Sequence, residues 1–188
     1  MKRIMRLLAW LCFPLFIVVC GFCVAQGLKT THTSTVNITG TWNLDFKASD
    51  FGGAKTYLIY DSLTRIITHN DPVLKITRKM GKKQTIRTQE LIYYTDGRGE
   101  KNPSANEKGQ VESRTSWQGK VATTRGTEST PTFGDVIMSD VTDKWELSDD
   151  GNTLIEYTSS SPLRSKFGKS NFGLIGALNV KKVFRKQP

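Results

Sequence analysis

The stretch Ile38–Phe46, Ile-Thr-Gly-Thr-Trp-Asn-Leu-Asp-Phe, constrains this chain most. Isoleucine, glycine, tryptophan, leucine and phenylalanine take every second position, and threonine, asparagine and aspartate take the others. That period of two specifies a strand with one buried face.

Similar signals run to the C-terminus. Lys55 to His69 reads as extended, and Asn70-Asp71-Pro72 as a turn. Val73 to Met80 follows, with Leu74, Ile76 and Met80 in phase. Gly81-Lys82-Lys83 reverses the chain into Thr85 to Thr95. Asp96-Gly97-Arg98-Gly99 is a further reversal, and Glu100 to Gly109 extends it as a polar loop. Val111 to Trp117 is a strand with Val111, Ser113, Thr115 and Trp117 on one face. Gly126 to Pro131 reads as loop. From Asp135 the chain is extended again, with Ile137, Val141, Trp145 and Leu147 on one parity. Asp150-Gly151 between Leu147 and Leu154 is the clearest hairpin, because glycine takes the positive φ such turns need. Pro162 to Ala177 admits a glycine-kinked strand, a short helix or a lid. Asn179 to Arg185 closes the chain as a strand.

The total is about nine strands at the spacing of an all-β sandwich or barrel. No stretch carries helical periodicity. Short connections pair sequence neighbours antiparallel, and that order favours a closed up-and-down barrel over a Greek-key sandwich.

The N-terminus reads as an address. Lys2, Arg3 and Arg6 precede an apolar run from Leu7 to Phe22, and Cys23-Val24-Ala25 supplies small residues at the first and third places before a cut. These are the parts of a secretory signal peptide. Removing residues 1–25 leaves 163 of the 188 residues, enough for one domain. The expected organisation is a signal peptide over 1–25, a threonine- and serine-rich lead-in over 26–37 and a barrel domain over 38–188. The expected location is exported, periplasmic or extracellular. A lipid anchor fits less well, since Cys20 follows Val19 and Cys23 follows Phe22. All three cysteines, Cys12, Cys20 and Cys23, fall in the removed segment, so the remainder has neither disulfides nor cysteine metal sites.

The formal charge is +10, of which three charges leave with residues 1–25. The excess admits an anionic envelope surface as partner, or simply a soluble basic exterior. Nucleic acid is set aside for an exported chain.

Several motifs in order carry a family resemblance. Gly40-Thr41-Trp42 leads into the Lys47–Gly52 loop. A Thr-Asp-Gly turn spans Thr95–Gly97, and a Trp-x-Gly hairpin spans Trp117–Gly119. Trp145–Leu154 reads Trp-x-Leu-Ser-x-Asp-Gly-x-Thr-Leu, and the chain ends in a basic Val-Phe strand over Val183–Lys186. Over most of the exported part this resembles the lipocalin-like (calycin-type) β-barrel proteins exported by bacteria, mostly of unassigned function. The resemblance implies an antiparallel up-and-down barrel of eight to ten strands. It also implies that Gly40 and Trp42 form the closed end, with Arg185 packed across the tryptophan. Such a contact contributes about 0.5–2 kcal/mol.

Chemistry is sparse. His69 is the one histidine of the barrel domain, and its neighbour Asp71 is explained by the turn. No second histidine completes a metal site, Asp96–Glu100 lacks the ligands of a calcium loop, and there is no nucleophile elbow or phosphate loop. The expectation is no enzyme, no cofactor and no metal. Two functions stand ahead of a third, a hydrolase or isomerase acting inside the cavity. One is a binding module holding a small amphipathic or hydrophobic ligand in the barrel mouth, with Tyr57, Tyr93, Trp117, Trp145 and Tyr157 as contacts and Phe167–Leu178 as a lid or a membrane contact. The other is an envelope protein with a filled barrel, working through exterior cations that include Lys181, Lys182, Arg185 and Lys186. Oligomeric state is left open.

Overall fold

A computed structural model describes residues 36–52, 60–105, 107–166 and 177–188. The expected signal peptide over 1–25, most of the expected lead-in, Tyr57 and the Phe167–Leu178 stretch up to residue 176 lie outside the described residues. Within them the chain forms β1 (Gly40–Leu44), β2 (Ser62–Asn70), β3 (Val73–Lys82), β4 (Thr85–Tyr94), β5 (Glu100–Pro103), β6 (Gln110–Gln118), β7 (Val121–Thr132), β8 (Asp135–Leu147), β9 (Thr153–Ser160), β10 (Arg164–Ser165) and β11 (Leu178–Lys186).

The sheet order is β4-β3-β2-β1-β11-β9-β8-β7-β6-β5. Sequence neighbours pair antiparallel, and β11 returns to lie beside β1. This is an all-β meander wrapped nearly closed. No main-chain ladder joins β4 to β5, and side chains span that seam instead. The Ile92 N–H donates to Asn102 Oδ1 at 2.8 Å, and Asn102 Nδ2 donates to the Ile92 carbonyl at 2.8 Å. The Tyr94 N–H donates to Glu100 Oε2 at 3.3 Å, and Gln89 Nε2 to the Ser104 carbonyl at 2.9 Å.

Three segments depart from the sequence reading. Glu100–Pro103 is a strand, not part of a loop, because it pairs with β6 while its inward Glu100 and Asn102 close the seam. Gly126–Pro131 is also strand, lying within β7. A Cβ on Gly126 would stand 2.3 Å from the Glu112 carbonyl and 2.8 Å from Ser113 Cα, so glycine here reflects a close approach of backbones and not a break. In Pro162–Ala177, Arg164–Ser165 continues along β8 beyond β9 with the register displaced by one residue: Val141 opposes Ser160, but Met138 opposes Arg164. That is the signature of one extra residue accommodated around Pro162. The Asp150-Gly151 turn forms as expected, with Gly151 at φ 71°.

Alternation lines the barrel with apolar side chains. Ile38, Trp42, Ile67, Leu74, Trp117, Leu147 and Leu154 belong to one core cluster, which continues along β2 and β3 through Ile76, Leu63 and Met80 to Tyr60. Trp42 is fully buried, and its Nε1 donates to the Ile38 carbonyl at 3.0 Å. The cation over its ring is Lys186, not Arg185: Lys186 Nζ lies 5.5 Å from the ring centroid. Register explains this. Trp42 opposes Lys186, whereas Arg185 opposes Asn43 and faces out, toward Asp45 at 3.4 Å and Thr153 Oγ1 at 2.7 Å. Toward the other end of β1, Phe46 lies 5.7 Å from buried Phe51 and 6.3 Å from Tyr60.

Candidate site in the barrel interior

The parity that buries the floor also turns charged residues inward. In β2 the inward series is Leu63, Arg65, Ile67 and His69; in β3 it is Leu74, Ile76, Arg78 and Met80. Arg65 and Arg78 are directly opposed across β2 and β3, and Gln89 follows in β4. On the facing wall, Trp145, Glu156 and Lys182 form another row across β8, β9 and β11.

Arg65 spans the interior. Its Nη2 donates to Glu156 Oε2 at 2.5 Å, and its guanidinium lies 4.4 Å from the Phe184 ring centroid and 5.4 Å from that of Trp145. Lys182 Nζ donates to Glu156 Oε1 at 3.3 Å. Arg78 gives its Nε to Gln89 Oε1 at 2.9 Å. Thr158 Oγ1 donates to Asp143 Oδ1 at 2.6 Å. Tyr93 packs edge-on against Trp145 at 5.4 Å.

Electrostatics separates the carboxyls. Burial alone pushes Glu156 up, but Arg65 and Lys182 outweigh it and hold its pKa down at about 2. Asp143 is pushed up, first by burial and then by the charge on Glu156. Glu128 is pushed up by burial, against the pull of Arg78. Burial also raises the Tyr93 phenol, which stays a neutral donor. Glu156 is therefore the interior carboxylate whose charge Arg65 and Lys182 stabilise.

Arg65 is only 4% exposed, yet its Nε and Nη1 have no hydrogen-bond partner. The nearby Trp145 Nε1 is a third buried donor without one. The other unpartnered buried side-chain atoms among the described residues are the two ring nitrogens of His69. Orphaned buried donors are rare in folded proteins and call for an explanation. The chemistry they fit is an acceptor, best a negatively charged one, because ionic acceptors make the strongest bonds to guanidinium. Around them, inward-facing Arg78, Tyr93, Asp143, Thr158 and Lys182 are only half-buried, whereas floor residues such as Trp42 and Leu154 are fully buried. Leu63, Met80 and Ile137 supply buried apolar surface farther toward the mouth.

Of the residues singled out by sequence, Tyr93 and Trp145 meet in this interior. Trp117 lies in the floor, stacked on His69 at 4.8 Å with its Nε1 on the Gly119 carbonyl at 2.9 Å. Tyr157 does not join them: its parity turns it to the outer wall, where it borders a cleft of about 280 Å³ with Lys144 and Lys181. Tyr57 lies outside the described residues. Lys182, expected on the exterior, points inward to Glu156. Sequence reasoning missed Arg65, Arg78 and Glu156, although each stands in phase with apolar neighbours, and that was the available signal. Among the described residues no group of three histidine, cysteine, aspartate or glutamate side chains is arranged to hold a metal ion.

No protein-family model matches the chain. No curated protein matches it. The fold is similar to that of a solved structure titled REP1-NXSQ fatty acid transporter, at 8% identity and a TM-score of 0.49, covering 80% of this chain and 96% of that one. A likeness this distant adds nothing to the reading of the site.

Proposed function

We propose that this protein is an exported, non-catalytic, lipocalin-like binding protein whose barrel takes a small amphipathic molecule by an anionic head. The head, of carboxylate class, sits against Arg65 with Arg78 and Tyr93 beside it, and the apolar part extends toward Leu63, Met80 and Ile137. The observation that carries this reading is the unpartnered pair of donors on buried Arg65. The N-terminal basic-apolar-small pattern supports export, and the ordered motifs support the lipocalin-like kinship.

Titration calorimetry with dodecanoate and dodecanol tests it. A charge-assisted hydrogen bond contributes roughly 1.5–3 kcal/mol, so the acid binds at least about tenfold more tightly than the alcohol. Arg78→Met, which leaves the Arg65–Glu156 pair intact, reduces that preference. Equal affinity for acid and alcohol overturns the anionic head, and no binding of either overturns the amphipathic ligand. Native mass spectrometry of protein taken from its own source then identifies the ligand.

The rival reading, a filled barrel with a working exterior, is favoured by the position of two clefts on the outer wall. Much of the C-terminal basic group is otherwise engaged, with Lys182 on Glu156, Arg185 on Asp45 and Lys186 over Trp42.

A further inference from the structure

Arg114 on β6 and Arg125 on β7 are direct cross-strand partners on the outer wall, and both are exposed. Like charges directly opposed weaken a sheet, so the pair serves no purpose in pairing these strands. Acids nearby are committed elsewhere. Asp96 accepts the Arg98 guanidinium through both carboxylate oxygens. Glu112 takes Lys101 at 2.7 Å. Asp140 accepts from the two terminal guanidinium nitrogens of Arg164, at 2.7 and 2.8 Å, and from the Thr127 hydroxyl at 3.1 Å. Neither Arg114 nor Arg125 is ion-paired with a carboxylate among the described residues.

The two arginines border a cleft of about 640 Å³, walled also by Tyr94, Arg98, Glu100, Lys101 and Glu112, and the Glu100 carboxylate there is taken by the Ser113 and Thr115 hydroxyls and the Tyr94 N–H. Arg98 lies 4.9 Å over the Tyr94 ring, which fixes that wall. Gly99, at φ 97°, holds a backbone conformation that residues with side chains rarely adopt. With Arg98 and Lys101 neutralised by their partners, the charge open to a ligand is that of the arginine pair.

We propose that Arg114 and Arg125 form a binding site for a phosphate group, distinct from the barrel interior. Each guanidinium fork takes a pair of oxygens edge-on; a carboxylate presents one such oxygen pair, while a phosphate presents a separate pair to each fork. The phosphate reaches the site as a soluble ion or ester, or as the head group of an anionic lipid.

The full chain is titrated with inorganic phosphate, with acetate, and with phosphatidylcholine vesicles with and without phosphatidylglycerol. Arginine Nε–H resonances report the soluble ions, and sedimentation reports the anionic increment in vesicle binding. Saturable shifts of the Arg114 and Arg125 signals with phosphate assign a soluble source. An anionic vesicle increment that falls at least tenfold in Arg114→Gln/Arg125→Gln assigns a lipid source. Lys75→Gln/Lys79→Gln, with the same charge change on β3, changes either readout less than twofold. The thermal midpoint of the arginine variant stays equal or rises, since a repulsion is removed. Absence of both signals, equal response to acetate, equal loss in the lysine variant, or a lowered midpoint each overturns the proposal.

Discussion

The Asn102 side-chain amide pairs with the main chain of Ile92 as a neighbouring strand would, receiving its N–H and donating to its carbonyl, both at 2.8 Å. This one side chain bridges the seam where β4 and β5 form no ladder. Its replacement strands two main-chain groups, each costing about 1–3 kcal/mol when buried and unpaired. Asn102→Leu is therefore expected to lose roughly 2–4 kcal/mol in urea unfolding. Amide exchange at Ile92 speeds up, while Leu91 and Tyr93, on the β3 side of the same strand, stay protected. Unchanged exchange at Ile92 overturns the account.

The floor depends on Trp42 and not on Arg185. Trp42 is fully buried among Ile38, Ile67 and Phe184, and removing a buried tryptophan costs about 3–5 kcal/mol. Arg185 makes an exposed ion pair with Asp45, a class that contributes about 0–1 kcal/mol. Trp42→Ala should collapse the urea midpoint, and Arg185→Ala should barely move it. Comparable losses in the two variants contradict the register that pairs Trp42 with Lys186.

Parity was the legible part of this chain. It turned Leu74, Ile76 and Met80 inward and placed Trp117 and Trp145 in the barrel, while the Asp150-Gly151 pair marked its own turn. What stayed hidden has physical causes. Glu100–Pro103 carries Glu and Asn where strands carry apolar residues, because it closes a seam with side-chain hydrogen bonds. Gly126 resembled a loop residue because close backbone contact and chain reversal both select glycine. The interior charges were hidden for a similar reason. Arg65 sits between Leu63 and Ile67, and Glu156 follows Leu154 in phase, yet single charges in an apolar row are read as surface. Their pairing runs between strands 91 residues apart in sequence, which no local pattern encodes.

That long-range pair has an acid signature. Glu156 has a pKa of about 2 in the fold against about 4.3 in an unfolded chain. A carboxylate lowered on folding contributes stability that is complete above the unfolded value and is lost as pH falls through the folded one. Asp143 acts with the opposite sign, since its raised pKa makes it a better proton acceptor when folded. Glu156→Gln leaves Arg65 and Lys182 without their counter-charge and is expected to cost about 3–5 kcal/mol near neutrality, with a shallower loss between pH 4 and 2. Arg65→Met/Glu156→Leu removes both charges and should be less destabilised than Glu156→Gln. Urea midpoints across pH for the three proteins decide it, and an equally steep acid limb in Glu156→Gln refutes the assignment.

His69 supplies the second pH dependence, in a different window. It is stacked on Trp117, neither ring nitrogen makes a hydrogen bond of good geometry although the Val36 carbonyl is close, and Asp71 Oδ1 is 3.9 Å from Nε2. Burial lowers its pKa, and Asp71 and the Val36 carbonyl offset only part of that. The fold thus prefers neutral imidazole, while the unfolded chain gains a proton below about 6.5. Stability from this group is constant above pH 7 and declines as pH drops through 6.5 toward the lower folded value. Unfolding between pH 7.5 and 5.0 should show that decline. His69→Phe, which keeps the stack on Trp117, flattens it. Asp71→Asn removes the charge favouring protonation and steepens it, and an unaltered slope in the phenylalanine variant eliminates His69 as the source.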